Sequence, residues 1–589
     1  RMILQDAFGV KDFSDVAKLA TDYEYLELLV TSFDKAEKNH SEPTKLPSIT
    51  RAKMHELTRK LTLEIIYKKC GLVTYNFFSR DKDEILTKVG FQNEEDVKDY
   101  AASVGFYKKL KKKYFTDEHF KLPPWLRYDI KHDPHFERGD AWGSSKLFNR
   151  AERVRLVIEL LYEQINLGIL ERHGVILQTY MTHDKKKLQE LRETWGALSI
   201  VSLNQPIPKI QDYFGSKVAM YFAYLTFYTK WLIPLAISGI ILFTLEFFFF
   251  PDMEFIWMIC TMVISTAWAG SYLQMWKRKN AYYCAEWGTL DFSKTEPARP
   301  QFVGTRKKNR ITGQYEKWYE PKKRYIKYIA TAATTTTWIA IAVAIVTNIF
   351  IFRGVLKTRG WGRGGHYFCA LLNAIQIQIF NGIYERMAIS LTNWENHRTE
   401  TQHENALTIK IFVFQIVNSF YSLFWIAFLK EHFEGCPEGE ICNYMSDLRV
   451  QLSIIFAVNF MLNGVELAVP YMKYLKKVKQ EEKHIEELKA EDANAVTREN
   501  MSFVESQAKL ETHKGVLFEY LEIMIQYGYL LMFNVAVPIL PLFGVLNNIL
   551  EIRIDAFKFC NLVQRPFPHV VENIGLWEPI IRSMSRVGI

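Results

Sequence analysis

Five acidic side chains lie inside the last apolar stretches of this chain, where an ionised group is costly. They are Glu466, Glu519, Glu522, Glu551 and Asp555. A charged side chain at the centre of a membrane helix costs about 2.5–3.5 kcal/mol on insertion scales. Glu519 and Glu522 are spaced i, i+3, and Glu551 and Asp555 are spaced i, i+4, so the members of each pair share one helix face. The spacing predicts carboxylate stripes that face one another.

Two amides extend these stripes by one helical turn. Asn463 precedes Glu466, and Asn547 precedes Glu551. A cage of carboxylate and amide oxygens without Cys or His ligands favours Ca²⁺ or Mg²⁺ over Zn²⁺ or Cu²⁺. Mg²⁺ prefers to keep its waters, so a crowded protein cage favours Ca²⁺. Because five anions cannot stay ionised together without cations, we predict Ca²⁺ as the cofactor, with about two ions per subunit.

Each acid taken alone also has a simpler interpretation. Glu551 could pair with Arg553, although i, i+2 residues point to different helix faces. Asp555 could lie at the membrane interface, and Glu519 could be solvated at the end of its helix. The matched spacing on consecutive apolar segments favours the ion site for the set.

The elements that must position these side chains are membrane helices. The chain has 589 residues, of which 14% are aromatic, as is typical of proteins with interfacial aromatic belts. From residue 206 to 589, apolar runs alternate with charged connectors. Eight runs reach the roughly 20 residues that cross a bilayer core. These predicted spans one to eight are 218–249, 253–275, 325–352, 366–391, 407–429, 447–473, 515–535 and 538–560.

Residues 1–205 are predicted to form a separate α/β domain. Strand patterns at 25–33, 71–78 and 174–181 alternate with helical patterns at 51–69, 154–168 and 184–196, which suggests a small βαβ-containing sheet. This region contains no Gly-rich phosphate loop, nucleophile elbow or spaced metal motif, so we expect no enzyme. The net charge of +9 is spread out, which argues against nucleic acid as a partner.

The charge of the connectors predicts the orientation in the membrane. Connector 276–324 is the most basic and should be cytosolic, which also places the N-terminal domain in the cytosol. Connector 430–446 then lies outside, where a Cys436–Cys442 disulfide is favoured over two free thiols. The predicted outer connector 353–364 disagrees, because it carries four basic residues.

Spans four to six carry a row of polar side chains that need partners or water inside a membrane. Two interpretations stay open: hydrogen bonding between helices, or a polar furrow for ions or lipid headgroups. The furrow candidates are Asn373, Gln376, Asn381, Glu385, Gln415, Asn418, Ser422 and Asn459; Gln378 and Ser419 belong to the same row.

Several segments together resemble one family from about residue 148 onward. They are QPIPKIQDYFGSKVAMYFAYL before and in span one, MWKRKN after span two, LTNWENHRTETQHENALTIKIFVFQIVNSFYSLFWIAF around span five, LFEYLEIMIQYG in span seven, and LNNILEIRIDAFKF followed by RPF and ENIGLW. This order of motifs resembles the anoctamin family of Ca²⁺-activated chloride channels and lipid scramblases.

The resemblance implies a mainly α-helical, ten-span membrane protein with a cytosolic ferredoxin-like domain, which forms a homodimer. A ninth span would start near residue 575, so we expect the natural protein to continue. It implies Ca²⁺ ligation by the seven acids and amides named above, and it suggests a mobile span six with hinges at Gly464 or Pro470. Many members have two consecutive Asn before the span-six Glu; here Leu462 precedes Asn463, which removes one oxygen.

The function implied is passive, Ca²⁺-activated movement of phospholipids through a furrow between spans four and six, with accompanying non-selective ion conduction. A chloride channel is the first alternative, although such a pore would be lined by Lys or Arg, and Arg386 and Lys430 lie towards span ends. A membrane tether is the second alternative, but it has no use for buried carboxylates. The plasma membrane and the endoplasmic reticulum both stay open as locations.

Overall fold

The computed structural model is mostly helical, with three small antiparallel sheets in the part of the chain that it describes. The described residues are 72–78, 85–112, 114, 124–139, 141–142, 146–164, 179–199, 202–249, 253–289, 296, 299, 302–308, 315–430, 444–491, 503–513 and 515–588.

The N-terminal part contains two strand pairs. Strands β1 (Leu72–Phe78) and β2 (Ile85–Phe91) form an antiparallel hairpin, where the sequence predicts a strand at 71–78. Helix α1 (Glu94–Ser103) follows, and then the short antiparallel strands β3 (Tyr107–Lys109) and β4 (Trp125–Arg127). Named strands in this described part pair only antiparallel, so the βαβ unit and the ferredoxin-like arrangement stay predictions.

Two further helices complete this part: α2 (Arg150–Gln164) and α3 (Lys185–Thr194). They overlap the predicted helices 154–168 and 184–196. From the predicted strand 174–181, Met181 makes an isolated bridge with Arg565. The predicted elements 25–33 and 51–69 lie outside the described residues.

In the described part of the chain after residue 206, the elements are helices, most of them long, and a hairpin of strands β5 (Thr305–Lys308) and β6 (Tyr315–Trp318). In chain order these helices are α4 (Ile207–Phe214), α5 (Ser216–Thr244), α6 (Glu254–Trp287), α7 (Pro321–Thr358), α8 (Gly362–Glu395), α9 (Glu400–Phe424), α10 (Tyr444–Glu491), α11 (Phe503–Ala508), α12 (Leu517–Met532), α13 (Leu540–Asn561) and α14 (Trp577–Gly588). Helices α5 and α9 each continue into one π-helical turn, Leu245–Phe249 and Trp425–Leu429.

In the described part of the chain, five helical segments are long and apolar enough to cross a membrane. They are Ser216–Phe249, Glu254–Trp287, Pro321–Thr358, Glu400–Leu429 and Met445–Leu462. They overlap predicted spans one, two, three, five and six. The chain is therefore a polytopic membrane protein by the length and composition of its helices.

Helices α8, α12 and α13 overlap predicted spans four, seven and eight but fall outside that set. Helix α12 has only 16 residues, and α13 carries Glu551, Arg553, Asp555 and Lys558 within 22 residues. Helix α8 carries the amide side chains of the polar row. These helices hold most of the predicted functional residues, and the polar and charged side chains of α8 and α13 lower the mean hydropathy of those two helices. The ten-span count stays a prediction.

Helix α5 packs along α13. Tyr221, Tyr224 and Tyr228 are all fully buried on it, and their spacing places them on one face. Near the other end of α5, a Cβ atom on Gly239 would lie 2.0 Å from the carbonyl oxygen of Pro538. Only glycine therefore allows this close approach of α5 to the turn before α13.

Candidate functional site

Asp555 and Glu551 lie on the buried face of α13 that packs against α5. Asp555 is only 2% exposed, and Glu551 is also buried. The Tyr221 hydroxyl donates a hydrogen bond to Asp555 Oδ2 at 2.5 Å, and it lies 3.4 Å from Glu551 Oε1. The i, i+4 spacing therefore brings both carboxylates to one point in the interior, where a tyrosine of span one orients them.

Glu519 reaches the same region from the first turn of α12. The ring of the adjacent Tyr520 packs against the Tyr221 ring, with centroids 5.4 Å apart. Glu519 Oε1 lies 3.6 Å from His513 Nε2, while Oε2 is buried without a hydrogen-bond partner in the described structure. Glu522, one turn further along α12, is exposed.

Of the predicted ligand and hinge residues of span six, only Gly464 has surroundings that the structure describes. Gly464 lies within the continuous helix α10, and a Cβ atom there would meet nothing within 4 Å. The side chains of Asn463, Glu466 and Pro470 lie outside the described residues, as do Cys436 and Cys442. The roles of span six as ligand and hinge, and the disulfide, stay predictions.

The described donors fit a hard cation in their chemistry. Glu519, Glu551 and Asp555 offer only oxygen, and the buried, unpartnered Oε2 of Glu519 is an atom that a cation would satisfy. Within the described part of the chain, no three His, Cys, Asp or Glu side chains come close enough together to hold one metal ion. A complete coordination shell would therefore need the acids to move together or Glu466 to join them.

The amides of α13 divide between two environments. Asn547 is half-buried, whereas its neighbour Asn548 is 0% exposed. Both side-chain polar atoms of Asn548 lack a hydrogen-bond partner in the described structure. Asn548 lies three residues before Glu551, so it shares the buried helix face with that acid. The i, i+4 spacing predicts Asn547 and misses Asn548, because the spacing to Glu551 is compatible with either residue.

The polar row of spans four to six is largely paired between helices. Asn373 Nδ2 donates to Ser422 Oγ at 3.1 Å, and Gln376 Nε2 donates to Asn418 Oδ1 at 2.9 Å, so α8 is bonded to α9 at two levels. The Asn418 amide in turn donates to Asn381 Oδ1 at 2.9 Å. In this conformation these side chains stabilise the packing of α8 on α9.

One bond of the row crosses from span four to span six. Gln378 Nε2 donates to Asn459 Oδ1 at 2.7 Å, which holds α8 against α10. Glu385 and Gln415, the other two predicted members, are half-buried. An open furrow between spans four and six stays a prediction. Opening such a furrow would break the hydrogen bond between Gln378 and Asn459.

A second group of charges lies at the opposite end of the bundle from the buried acids. Asp447 of α10 accepts a hydrogen bond from Arg353 at 2.5 Å and another from Lys430. His366 Nε2 lies 3.7 Å from the same carboxylate. Arg353 belongs to the basic connector that disagrees with the predicted topology, and its charge is offset by this ion pair.

A segment before span one is bound to the same helix that carries the acids. We call residues 181–199 and 202–214 the docked segment. Arg553 donates to the carbonyls of Trp195 and Ser202 at 3.2 and 3.1 Å. Arg192 of the segment donates to the carbonyl of Cys560. Arg553 therefore points away from Glu551 and bonds backbone carbonyls, which corrects the alternative that it pairs with that acid.

His183 and Arg565 complete this contact. The Arg565 guanidinium is fully buried, lies 3.9 Å from the Tyr213 ring centroid and donates to the Tyr213 carbonyl. His183 Nδ1 lies 2.9 Å from the Tyr213 hydroxyl, which accepts the Asp184 N–H, so that hydroxyl can donate to a neutral imidazole. Burial, and after it the charge of Arg565, lowers the pKa of His183 to about 3.

Comparison with known proteins places these features in one family. The family model described as "Anoctamin: Calcium-activated chloride channel" matches residues 210–589. Human Anoctamin-10 is 30% identical over 430 residues, which cover 71% of this chain and 61% of the relative. Mouse Anoctamin-7 is 29% identical over 470 residues, which cover 68% and 53%. Bovine Anoctamin-4 is 27% identical over 539 residues, which cover 75% and 57%.

The chain thus spans about three fifths or less of the length of these curated relatives. The matched region contains all the predicted spans and all the acids of the site. With its membrane helices, its order of motifs and this match over more than half of its length, the chain belongs to the anoctamin family of integral membrane proteins.

Proposed function

We propose that this protein is a Ca²⁺-activated phospholipid scramblase, which moves lipids passively between leaflets along a path between spans four and six. The observation that carries the proposal is the contact of Glu551 and Asp555 with the Tyr221 hydroxyl inside the bundle, with Glu519 in the first turn of the neighbouring helix α12. Buried carboxylates are costly unless a cation or a hydrogen bond offsets them. A protein that used its helices only as a membrane anchor would have no need of buried carboxylates.

The acids provide the activation step. Bound Ca²⁺ would supply the positive charge that offsets the mutual repulsion of these carboxylates. Glu519 on α12 and Glu551 and Asp555 on α13 hold one side of the site, and Glu466 on α10 would close it. Movement of α10 towards α12 and α13 then changes its contact with α8.

The hydrogen bond between α8 and α10 makes only a small contribution to the free energy of their contact. The hydrogen bond from Gln378 to Asn459 contributes about 0.5–1.5 kcal/mol net. A ligand that binds two conformations with different affinity commonly shifts their balance by about 1–3 kcal/mol. After separation, the freed amides would face the path and could bind lipid headgroups, and the polar row would also admit small ions.

A chloride channel is the second candidate, and one observation favours it. Arg353 and Lys430 place two largely buried cations beside the single carboxylate of Asp447, and excess positive charge attracts anions. The description of the matching family model names the same activity. The two candidate functions share activation by Ca²⁺ and differ in whether phospholipids or chloride ions cross the membrane.

The remaining assignments complete the proposal. We place the docked segment and the 276–324 connector in the cytosol, propose about two Ca²⁺ ions per subunit, and propose a homodimer with one path in each subunit. Phospholipids, chloride and other small ions are the proposed partners, at the plasma membrane or the endoplasmic reticulum.

The test is reconstitution of the purified protein into liposomes that contain fluorescent phospholipids, with chloride flux followed in parallel, with and without micromolar Ca²⁺. The expected result is Ca²⁺-dependent lipid exchange that Glu551→Gln abolishes at the same Ca²⁺ concentration. Glu193→Gln is the matched control, because Glu193 is an exposed acid of the docked segment and should leave exchange unchanged.

Three outcomes decide between the candidates. Chloride flux without lipid exchange would select the channel. Lipid exchange that ignores Ca²⁺, or that survives in Glu551→Gln, would overturn activation through the buried acids. Absence of both fluxes in every condition, from protein that remains folded, would favour the tether.

A further inference from the structure

Lys558 continues the acidic stripe of α13 by one turn. It follows Glu551 and Asp555 at i+7 and i+3, so the three side chains share one helix face. Lys558 Nζ lies 3.3 Å from Asp555 Oδ1. The residue is only 8% exposed, so its ammonium group is paired inside the bundle rather than in water.

The position of Lys558 sets the direction from which it acts. Along α13, Asp555 lies at the level of Tyr221 and Arg553 binds the docked segment. Lys558 lies about 4.5 Å further along the helix axis, towards Cys560, whose carbonyl accepts hydrogen bonds from Arg192 of the docked segment. In the orientation proposed above, Lys558 therefore lies between the acids and the cytosol.

The charges explain why a lysine is tolerated at this position. A buried ammonium and a buried carboxylate are each costly alone, and pairing offsets part of both penalties. The second oxygen of Asp555 is bonded to the Tyr221 hydroxyl, so Lys558 and Tyr221 together satisfy both oxygens of this carboxylate. A divalent cation that took Asp555 as a ligand would repel the ammonium at this short distance.

We propose that Lys558 is a tethered counter-ion of the acid cluster, which must leave Asp555 when Ca²⁺ binds and thereby lowers the Ca²⁺ affinity. This inference rests on the proposed function. The long, flexible lysine side chain can move its charge to the water interface while its methylene groups remain buried. Lys558 is thus a positioning residue that holds the acids in the ion-free state and sets the Ca²⁺ concentration at which they are released.

The experiment compares Ca²⁺ binding by the wild type with three variants, measured by titration calorimetry on the purified protein in detergent. Lys558→Met keeps the length and removes the charge, Lys558→Gln removes the charge and keeps a polar end, and Lys558→Arg keeps the charge. We expect both neutral variants to bind Ca²⁺ more tightly by on the order of tenfold. Lys558→Arg should stay close to the wild type.

A second readout separates this role from a simple packing role. In the presence of a chelator, both neutral variants should unfold at a lower temperature than the wild type, because Asp555 has lost its counter-ion. Saturating Ca²⁺ should remove that difference. A packing role would lower the unfolding temperature equally in both conditions and would leave the affinity unchanged.

The outcomes also distinguish the two proposals. Wild-type protein that does not bind Ca²⁺ would overturn the proposed function. Wild-type protein that binds Ca²⁺ while both neutral variants bind it equally or more weakly would overturn the role of Lys558 alone. If Lys558→Met does not fold, Lys558→Gln decides by the same comparison.

Discussion

Acidification should weaken, through His183, the contact between the docked segment and Arg565, which lies just beyond the end of α13. This imidazole is 4% exposed, and its pKa is lowered to about 3 by burial and then by the charge of Arg565. In the undocked state the pKa returns to about 6.5. Because the docked pKa is the lower of the two, the contribution of a neutral His183 is fully present above pH 6.5.

That contribution is lost as the pH falls below 6.5, since the undocked state then binds a proton that the docked state excludes. At pH 5 the undocked imidazole is about 1.5 pH units below its pKa, and each unit corresponds to about 1.4 kcal/mol. Lowering the pH from 7 to 5 should therefore cost the docked state about 2 kcal/mol. This corresponds to an approximately thirtyfold rise in the undocked fraction.

Hydrogen exchange of the docked segment measures this fraction directly. The exchange rates of residues 185–194, corrected for the intrinsic pH dependence of exchange, should show the loss of protection at pH 5 in the wild type. His183→Gln is the control, because a glutamine stays neutral at both pH values and can accept the Tyr213 hydroxyl. Equal loss of protection in both proteins would refute the reasoning, since the titration would then belong to other groups.

Three further predictions follow from single contacts. Gly239→Ala should lower the unfolding temperature or prevent folding, because its Cβ would lie 2.0 Å from the Pro538 carbonyl oxygen. Gly270→Ala is the control: a Cβ there would meet no atom within 4 Å, so its free energy of unfolding should stay within about 0.5 kcal/mol of the wild-type value. Arg553→Met should leave two carbonyls of the docked segment without their donor and reduce its exchange protection by about 1.5–3 kcal/mol; unchanged protection would show that these bonds are dispensable. Gln378→Leu should raise lipid exchange in the absence of Ca²⁺ in the liposome assay, because it removes the hydrogen bond between α8 and α10. Exchange that depends on Ca²⁺ to the same extent as in the wild type would contradict this prediction.

The acids of α12 and α13 show how far helical spacing carries a prediction. The i, i+4 spacing predicts that Glu551 and Asp555 share a face, and the structure brings both to the Tyr221 hydroxyl. Spacing alone does not identify Tyr221 itself, because tyrosines in a membrane span are equally typical of interfacial and core positions. Their i, i+3, i+7 pattern at 221, 224 and 228 was the signal that could have found this face.

Adjacent residues of the same type set a limit to such predictions. Asn547 and Asn548 differ by 100° around the helix, and either can be grouped with Glu551 by spacing. The structure buries Asn548 and leaves Asn547 half-exposed, because the orientation of α13 is set by its packing on α5. That packing depends on residues far away in sequence, including the glycine at position 239.

The polar row shows a different limit. Residue type predicts that Asn373, Gln376 and Asn418 need partners in a membrane, but it does not predict whether those partners are side chains, water or lipid. The structure supplies side chains on the neighbouring helix. The same amides could serve an open path, so the choice depends on the conformation rather than on the sequence.

The contact between Tyr221 and Asp555 joins residues that are 334 positions apart in the chain. At a synthesis rate of about 5–20 residues per second, span one enters the membrane roughly 20–70 s before α13 exists. During that interval the tyrosine face of α5 has no native partner, and other proteins or lipids of the membrane must cover it. Assembly of the acid cluster is therefore a late step of biogenesis, and variants of Tyr221 or Gly239 should accumulate as incompletely assembled protein before any effect on transport can be observed.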